Sequence, residues 1–253
     1  MLQNIKIELL KIRRTHTFLM LFVIMIIASL WQLFVINSEL SHSNLHNIAA
    51  FYNNQTVDCL ILPIMVSIFA SKIISNEKEG QTFKLQQSNG TEIYRIFLSK
   101  ILLMVSTSIV LFVMETTFRY VYASINGIHT SVMLLLLFLM GQVLTVFPLI
   151  CIFLVLSLLL NKQGIVLAIG FLFGFLGTVM ASRSQSILSF WLPGTGNAYL
   201  APYKYHLVDN AQLSYEYTLD QYLPVRLLIY ILFCLLIYMI ARMVIRRKEI
   251  SLI

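Results

Sequence analysis

Charge is scarce in this 253-residue chain: Asp, Glu, Lys and Arg make up 11% of it, against roughly 25% in soluble domains. With 58% hydrophobic residues and a mean hydropathy of +0.83, an ordinary water-soluble globule is excluded and a membrane protein indicated. Catalytic signatures are missing too. No G-x-x-x-x-G-K-[ST] loop is present to cradle ATP phosphates, and there is no H-E-x-x-H pair. The five histidines (His16, His42, His46, His129, His206) fall in loops or at span ends, where their rings do not converge as metal ligands. Cys59, Cys151 and Cys234 lie in or beside apolar runs without metal-like spacing and read as small core residues. The basic start is followed by an apolar run longer than a signal-peptide core, with no A-x-A site after it, so a retained helix is expected. Nothing calls for a cofactor. An ion-coupled carrier or membrane protease should place carboxylates or histidines mid-span, and this alternative turns on Glu115 of the third span. A purely structural or sensory membrane subunit would lack catalytic residues as well.

What is present is a set of apolar runs. A membrane-crossing helix needs about 20 apolar residues, and six candidates qualify: Phe18–Ile36, Cys59–Ile74, Ile101–Tyr122, Val132–Leu160, Ile165–Met180 and Leu227–Val244. Counted with their flanks, the predicted spans are 18–36, 57–74, 99–122, 132–160, 165–181 and 226–245, in one domain covering 1–253. The fourth is long and contains Pro148, which removes a backbone donor; it reads as one tilted or bent span, too short to be two.

Placing both termini in the cytoplasm puts fourteen of the eighteen Lys and Arg residues on that side. Only Arg119, Arg183, Lys204 and Arg226 fall outside. The net charge of +7 is then explained by topology and anionic lipid, with no nucleic-acid partner needed.

Between the spans, residues 1–16 place Leu2, Ile5, Leu9 and Ile12 at helical spacing, which predicts a helix lying in the cytoplasmic interface. Residues 75–98 are polar and mixed in charge; Gly80 and Gly90 mark turns, and Gln81–Gln87 is long enough for a short helix with Phe83 presented to a partner. Residues 182–225 form the external segment, which with its flank carries Trp191, Tyr199, Tyr203, Tyr205, Tyr215, Tyr217 and Tyr222. Two compatible readings fit it: a segment folded back into the outer leaflet, broken at Pro193, Gly194 and Gly196, or a plain aromatic belt.

Two side-chain patterns stand out. Glu115 and Arg119 share a helix face near the external end of the third span and read as a snorkelling ion pair. Gly170, Gly174 and Gly177 form a small-residue face, expected to pack within the bundle in preference to a dimer contact.

The order of these parts resembles the type-2 ABC exporter permease. In that family the cytoplasmic segment after the second span carries acidic residues and then Gly-Thr; here Glu77, Glu79, Gly80 and Thr82 match, with Gln81 interrupting the pair. The resemblance implies an all-α polytopic membrane protein with six spans, an N-terminal interfacial helix, a cytoplasmic coupling helix and an external re-entrant segment. It implies no catalysis of its own, a separate ABC ATPase subunit, and a second permease copy or related permease. By the same resemblance Glu77, Glu79, Gly80, Thr82, Phe83 and Leu85 couple to the ATPase, the carboxylates meeting basic residues on it. Trp191, Pro193, Gly194, Tyr199 and Tyr203 would border external substrate release. Small size, Leu192-Pro193-Gly194 and an Asn- and Ile-rich bias look like the lantibiotic-immunity permeases of Gram-positive bacteria, which expel amphiphilic antimicrobial peptides. Export of a drug, toxin peptide or lipid-like substrate is the alternative.

Overall fold

The computed structural model describes residues 16–42, 47–53, 55–80, 93–160, 162–181, 187–209 and 214–251. In chain order the elements are α1 Thr17–His42, α2 Asn47–Asn53, α3 Thr56–Glu79, α4 Ile93–Ile125, α5 Val132–Leu159 and α6 Gln163–Ala181. There follow α7 Ile187–Trp191, a 3-10 turn Pro193–Thr195, α8 Gly196–Tyr199, strands β1 Tyr203–Asp209 and β2 Ser214–Leu219, and α9 Leu223–Ser251. Helices α1, α3, α4, α5, α6 and α9 are long and apolar enough to cross a membrane, so the six-span, all-α reading holds. The expected interfacial helix and the short helix over Gln81–Gln87, with Thr82, Phe83 and Leu85, lie outside the described residues.

The bundle has two unlike ends. Glu79, Ile93, Leu159, Gln163 and the Arg246–Arg247 pair mark the basic end, and the β-hairpin marks the opposite, hairpin end. Two helices run further toward the basic end than apolarity alone predicts. The second span was expected to stop at residue 74, but α3 continues to Glu79, where Gly80 ends it and donates its N–H to Asn76 O at 3.1 Å. The third was expected from residue 99, and α4 starts at Ile93. Its 33 residues reach about 50 Å at 1.5 Å per residue, well beyond a hydrocarbon core of about 30 Å. The α3 extension, Ser75 to Glu79, is polar and is held by the Glu77 contact to Lys100 of α4, whereas the α4 extension, Ile93 to Leu98, is largely apolar with Ile96 and Phe97 buried.

Helix α3 is the most enclosed of the six, packed between α1, α5 and α6. Leu62, Phe69 and Ile73 of α3 share a buried cluster with Leu21, Phe112 and Leu149. Its Pro63 has no N–H to offer the carbonyl of Cys59 one turn back, and α6 covers that exposed backbone. A Cβ on Gly177 would lie 2.8 Å from Cys59 O, one on Gly174 would overlap Leu60 O, and one on Gly170 would overlap Ser67 Oγ and sit 3.2 Å from Pro63 O. The glycine face is therefore an internal contact: only residues without side chains let the two backbones meet this closely. Pro148 in α5 leaves Leu144 O without its helical donor in the same way, and the Cys234 thiol of α9 approaches it at 3.4 Å. That gives Cys234 a polar duty beyond filling space.

The segment broken at Pro193 and Gly194 packs its turn into the bundle and continues into a hairpin that apolar periodicity did not indicate. Pro193 to Ala198 are all buried. Thr195 Oγ1 donates to Leu192 O at 2.8 Å and to Ser189 O, tying the turn to itself. Strands β1 and β2 then pair antiparallel, with Tyr203 opposite Leu219 and Tyr205 opposite Tyr217.

Candidate functional site

At the hairpin end, α2, α3, α4 and α5 bring three charges together away from solvent. Arg119 Nε and Nη2 donate to Glu115 Oε1 at 3.0 and 2.6 Å, Nη2 also reaches Asp58 Oδ2 at 2.7 Å, and Nη1 donates to Phe51 O at 3.2 Å. Gln142 Nε2 donates to Glu115 Oε2 at 3.0 Å, and the guanidinium lies 4.8 Å from the Phe138 ring centroid. Arg119 is 2% exposed, Glu115 2% and Asp58 4%. The snorkelling reading of Glu115 and Arg119 is thus corrected: the pair is enclosed by helices, with Asp58 and Gln142 completing it. Asp58 sits in the first turn of α3, directly ahead of the apolar run, and nothing in the sequence pairs it with Arg119. An isolated buried charge is costly, so a group this enclosed survives only because each charge has fixed partners.

The basic end carries a second set. Glu77 Oε1 and Lys100 Nζ are 2.7 Å apart and both buried. Glu77 was expected to meet a basic residue on a partner; instead its carboxylate is spent on α4, because Lys100 faces it across the helix pair. The next residue, Lys78, donates from Nζ to Ser157 O and Leu160 O, both at 2.9 Å, and lies 3.5 Å from Leu158 O. Those are the last-turn carbonyls of α5, where the helix dipole is negative and an ammonium is favoured. Helix α4 is also tied to α9 here, through Tyr94 and Tyr238 hydroxyls 2.5 Å apart and the Arg242 guanidinium 4.8 Å from the Tyr94 ring. Glu79 is exposed and accepts from Ser75 Oγ at 2.7 Å, and Gly80 is exposed beside it.

The residues expected to border an external release region do share one end. Pro193 and Gly194 are wedged between α3, α5 and α6, and a Cβ on Gly194 would come 2.9 Å from Phe173 O. Gly196 packs against Tyr230 and Thr145, and Tyr199 lies beside Phe190 and under Arg226, 5.1 Å from its guanidinium. Tyr203 packs on the cluster of Ile36, Phe51 and Tyr52, while Trp191 faces outward at 61% exposure. The Asn197 amide is buried with neither its nitrogen nor its oxygen hydrogen-bonded among the described residues.

A family model described as ABC-2 family transporter protein matches residues 4–177. This chain belongs to the ABC-2 transporter family. No curated protein and no solved structure matches it. As an ABC-2 permease it is the membrane-spanning transport subunit, working with an ABC ATPase partner. Both charge clusters fall inside the matched range. The re-entrant turn, the hairpin and α9 lie beyond it.

Lys204 in this ABC-2 chain lies outside the spans and has its ammonium brought down to near neutrality. Lys204 of β1 donates to Ala198 O at 2.6 Å and Tyr199 O at 3.0 Å. Burial, then Arg226, push its ammonium down from 10.5 to about 7, with Asp220 and Cys59 opposing. A neutral amine still has two N–H bonds for those two carbonyls. Released into water, the lysine holds its proton up to about 10.5, so the undocked form binds more protons between about pH 7 and 10.5, and docking of the hairpin strengthens as pH rises through that window. Hydrogen exchange over residues 203–209, corrected for intrinsic rates, should accordingly be slower at about pH 8.5 than at about pH 6. In Lys204→Met that difference should vanish; its survival would show that another group is responsible.

Proposed function

We propose that the chain is the permease of a bacterial ABC exporter, with both termini in the cytoplasm, that expels an amphiphilic antimicrobial peptide as a self-immunity device. A second permease copy or a related permease would complete the path between them. The basic end then faces the cytoplasm, consistent with the positive-inside bias, and residues 80–92 face the ATPase. Glu79, Gly80, Thr82, Phe83 and Leu85 provide the docking contacts, and peptide leaves past Trp191, Pro193, Gly194, Tyr199 and Tyr203. The observation that carries this reading is the pair of helical stems, Ser75–Glu79 and Ile93–Lys100, locked to each other by Glu77 and Lys100. A rigid pair of stems holds a connecting segment where a partner can push on it, which a loop without a partner does not need.

Purification of the tagged chain from its native membrane in mild detergent tests the coupling half. An ATPase should accompany wild type and be lost, or reduced about tenfold, in Glu79→Ala/Phe83→Ala. Absence of any ATPase with wild type would sink the exporter reading. Peptide specificity is tested separately: co-expression of permease and ATPase in a sensitive host should raise tolerance to a cationic lantibiotic. Tolerance gained only toward small drugs would replace the peptide with that substrate class.

A further inference from the structure

We propose that Lys78 is the residue through which movement of the 80–92 connection reaches the hairpin end of the bundle, by its hold on the last turn of α5. This rests on the coupling role proposed for that connection. Three observations converge on it.

First, the end of α5 is held from another helix. Its cap residue Leu160 is extended at φ −93° and ψ 136° and returns its N–H to Leu156 O, while the carbonyls of Ser157 and Leu160 are met by Lys78. Lys78 supplies the donors from another helix, and it does so two residues before Gly80. Any displacement of the connection therefore acts on α5 through charge-assisted bonds, the stronger kind. A cleft of about 150 Å³ between Lys78, Ser71, Ser75, Glu79, Ser157 and Gln163 leaves space beside the contact for the stem to shift.

Second, α5 leads from Lys78 to the re-entrant turn. Thr145 packs on Gly196, and a Cβ on Gly141 would sit 3.5 Å from the Leu200 side chain. Midway lies Pro148, where the helical ladder is interrupted and only the Cys234 thiol meets the freed carbonyl. Proline breaks are where helices bend.

Third, the far end is poised to move. The Asn197 amide is 1% exposed and has no partner among the described residues. An unsatisfied buried amide penalises the conformation that holds it, so a state that lifts the turn and pairs or hydrates Asn197 regains that loss. Glu77 holds α3 to α4; Lys78 is the link that runs to α5 and so to the turn.

The test uses the full chain purified with its ATPase, native cysteines replaced, and a single cysteine at Tyr199. Reactivity toward a membrane-impermeant thiol reagent is read with Mg-ADP and with Mg-ATP, for wild type, Lys78→Met and Lys78→Arg. Wild type should change its labelling rate by about tenfold on ATP, Lys78→Met should bind ATPase equally yet show no change, and Lys78→Arg, which keeps charge and donors, should recover most of it. If Lys78→Met keeps the ATP response, the inference is overturned. It is also overturned if Lys78→Met fails to accumulate or to hold its ATPase, since the residue would then serve folding alone, or if wild type binds ATPase but shows no response. No ATPase with wild type would instead remove the exporter reading on which the inference rests.

Discussion

Arg119→Leu is expected to abolish accumulation of the folded chain, and this is the largest single effect the structure implies. The substitution leaves Asp58 and Glu115 facing each other in a site closed to water, and Phe51 O loses its donor. Breaking one partner out of a buried ion cluster costs about 3–5 kcal/mol, a large part of the 5–15 kcal/mol typical of a whole domain. The measurement is the yield of monodisperse protein in detergent and its thermal midpoint. Combining Arg119→Leu with Asp58→Asn and Glu115→Gln should restore much of the loss, because no uncompensated charge then remains. Arg119→Lys should fall between, since an ammonium lacks the planar fork that serves Glu115, Asp58 and Phe51 at once. A wild-type midpoint for Arg119→Leu would show that the cluster does not hold the helices.

Gly174→Leu should be nearly as severe. Overpacking a core ordinarily costs about 1–3 kcal/mol, and here the obstruction is the carbonyl of Leu60, which cannot rotate aside as a side chain would. Helices α3 and α6 would have to separate, exposing the carbonyls around Pro63. Gly164→Ala is the matching control on the same helix: a Cβ there meets nothing within 4 Å, and alanine in place of a helical glycine gains up to about 1 kcal/mol. Thermal midpoints of the two variants should move in opposite directions. Equal shifts would mean that the glycine face is not what sets the α3–α6 distance.

The six spans were legible because each is a long apolar run, the strongest signal a sequence offers. The break in the segment after α6 was legible from Leu192-Pro193-Gly194. The glycine face was visible as a row of small residues, whereas the backbone it meets, the carbonyls around Pro63, needed the partner helix. Pairing was the illegible part. Glu77 has the composition of a polar flank wherever it points, and only the position of Lys100 across the helix pair decides that it turns inward. Asp58 lies just ahead of an apolar run, a place that suits a loop equally well. Gln142 is one polar residue in a long hydrophobic helix and gives no hint of Glu115. The hairpin escaped because β1 and β2 are short, and a two-stranded ribbon in an aromatic segment has little periodicity to distinguish it from an irregular loop.

The positions of the charges along the chain bear on how the protein is made. Asp58, Glu115 and Arg119 are all synthesised before α5 begins at Val132. The helical hairpin α3–α4 therefore has its ionic partners to hand while the ribosome is still at work, and the three charges can enter the bilayer as a cluster whose formal charge is one negative, with neither helix presenting its ions to lipid alone. Gln142 arrives last and closes over a pair already made.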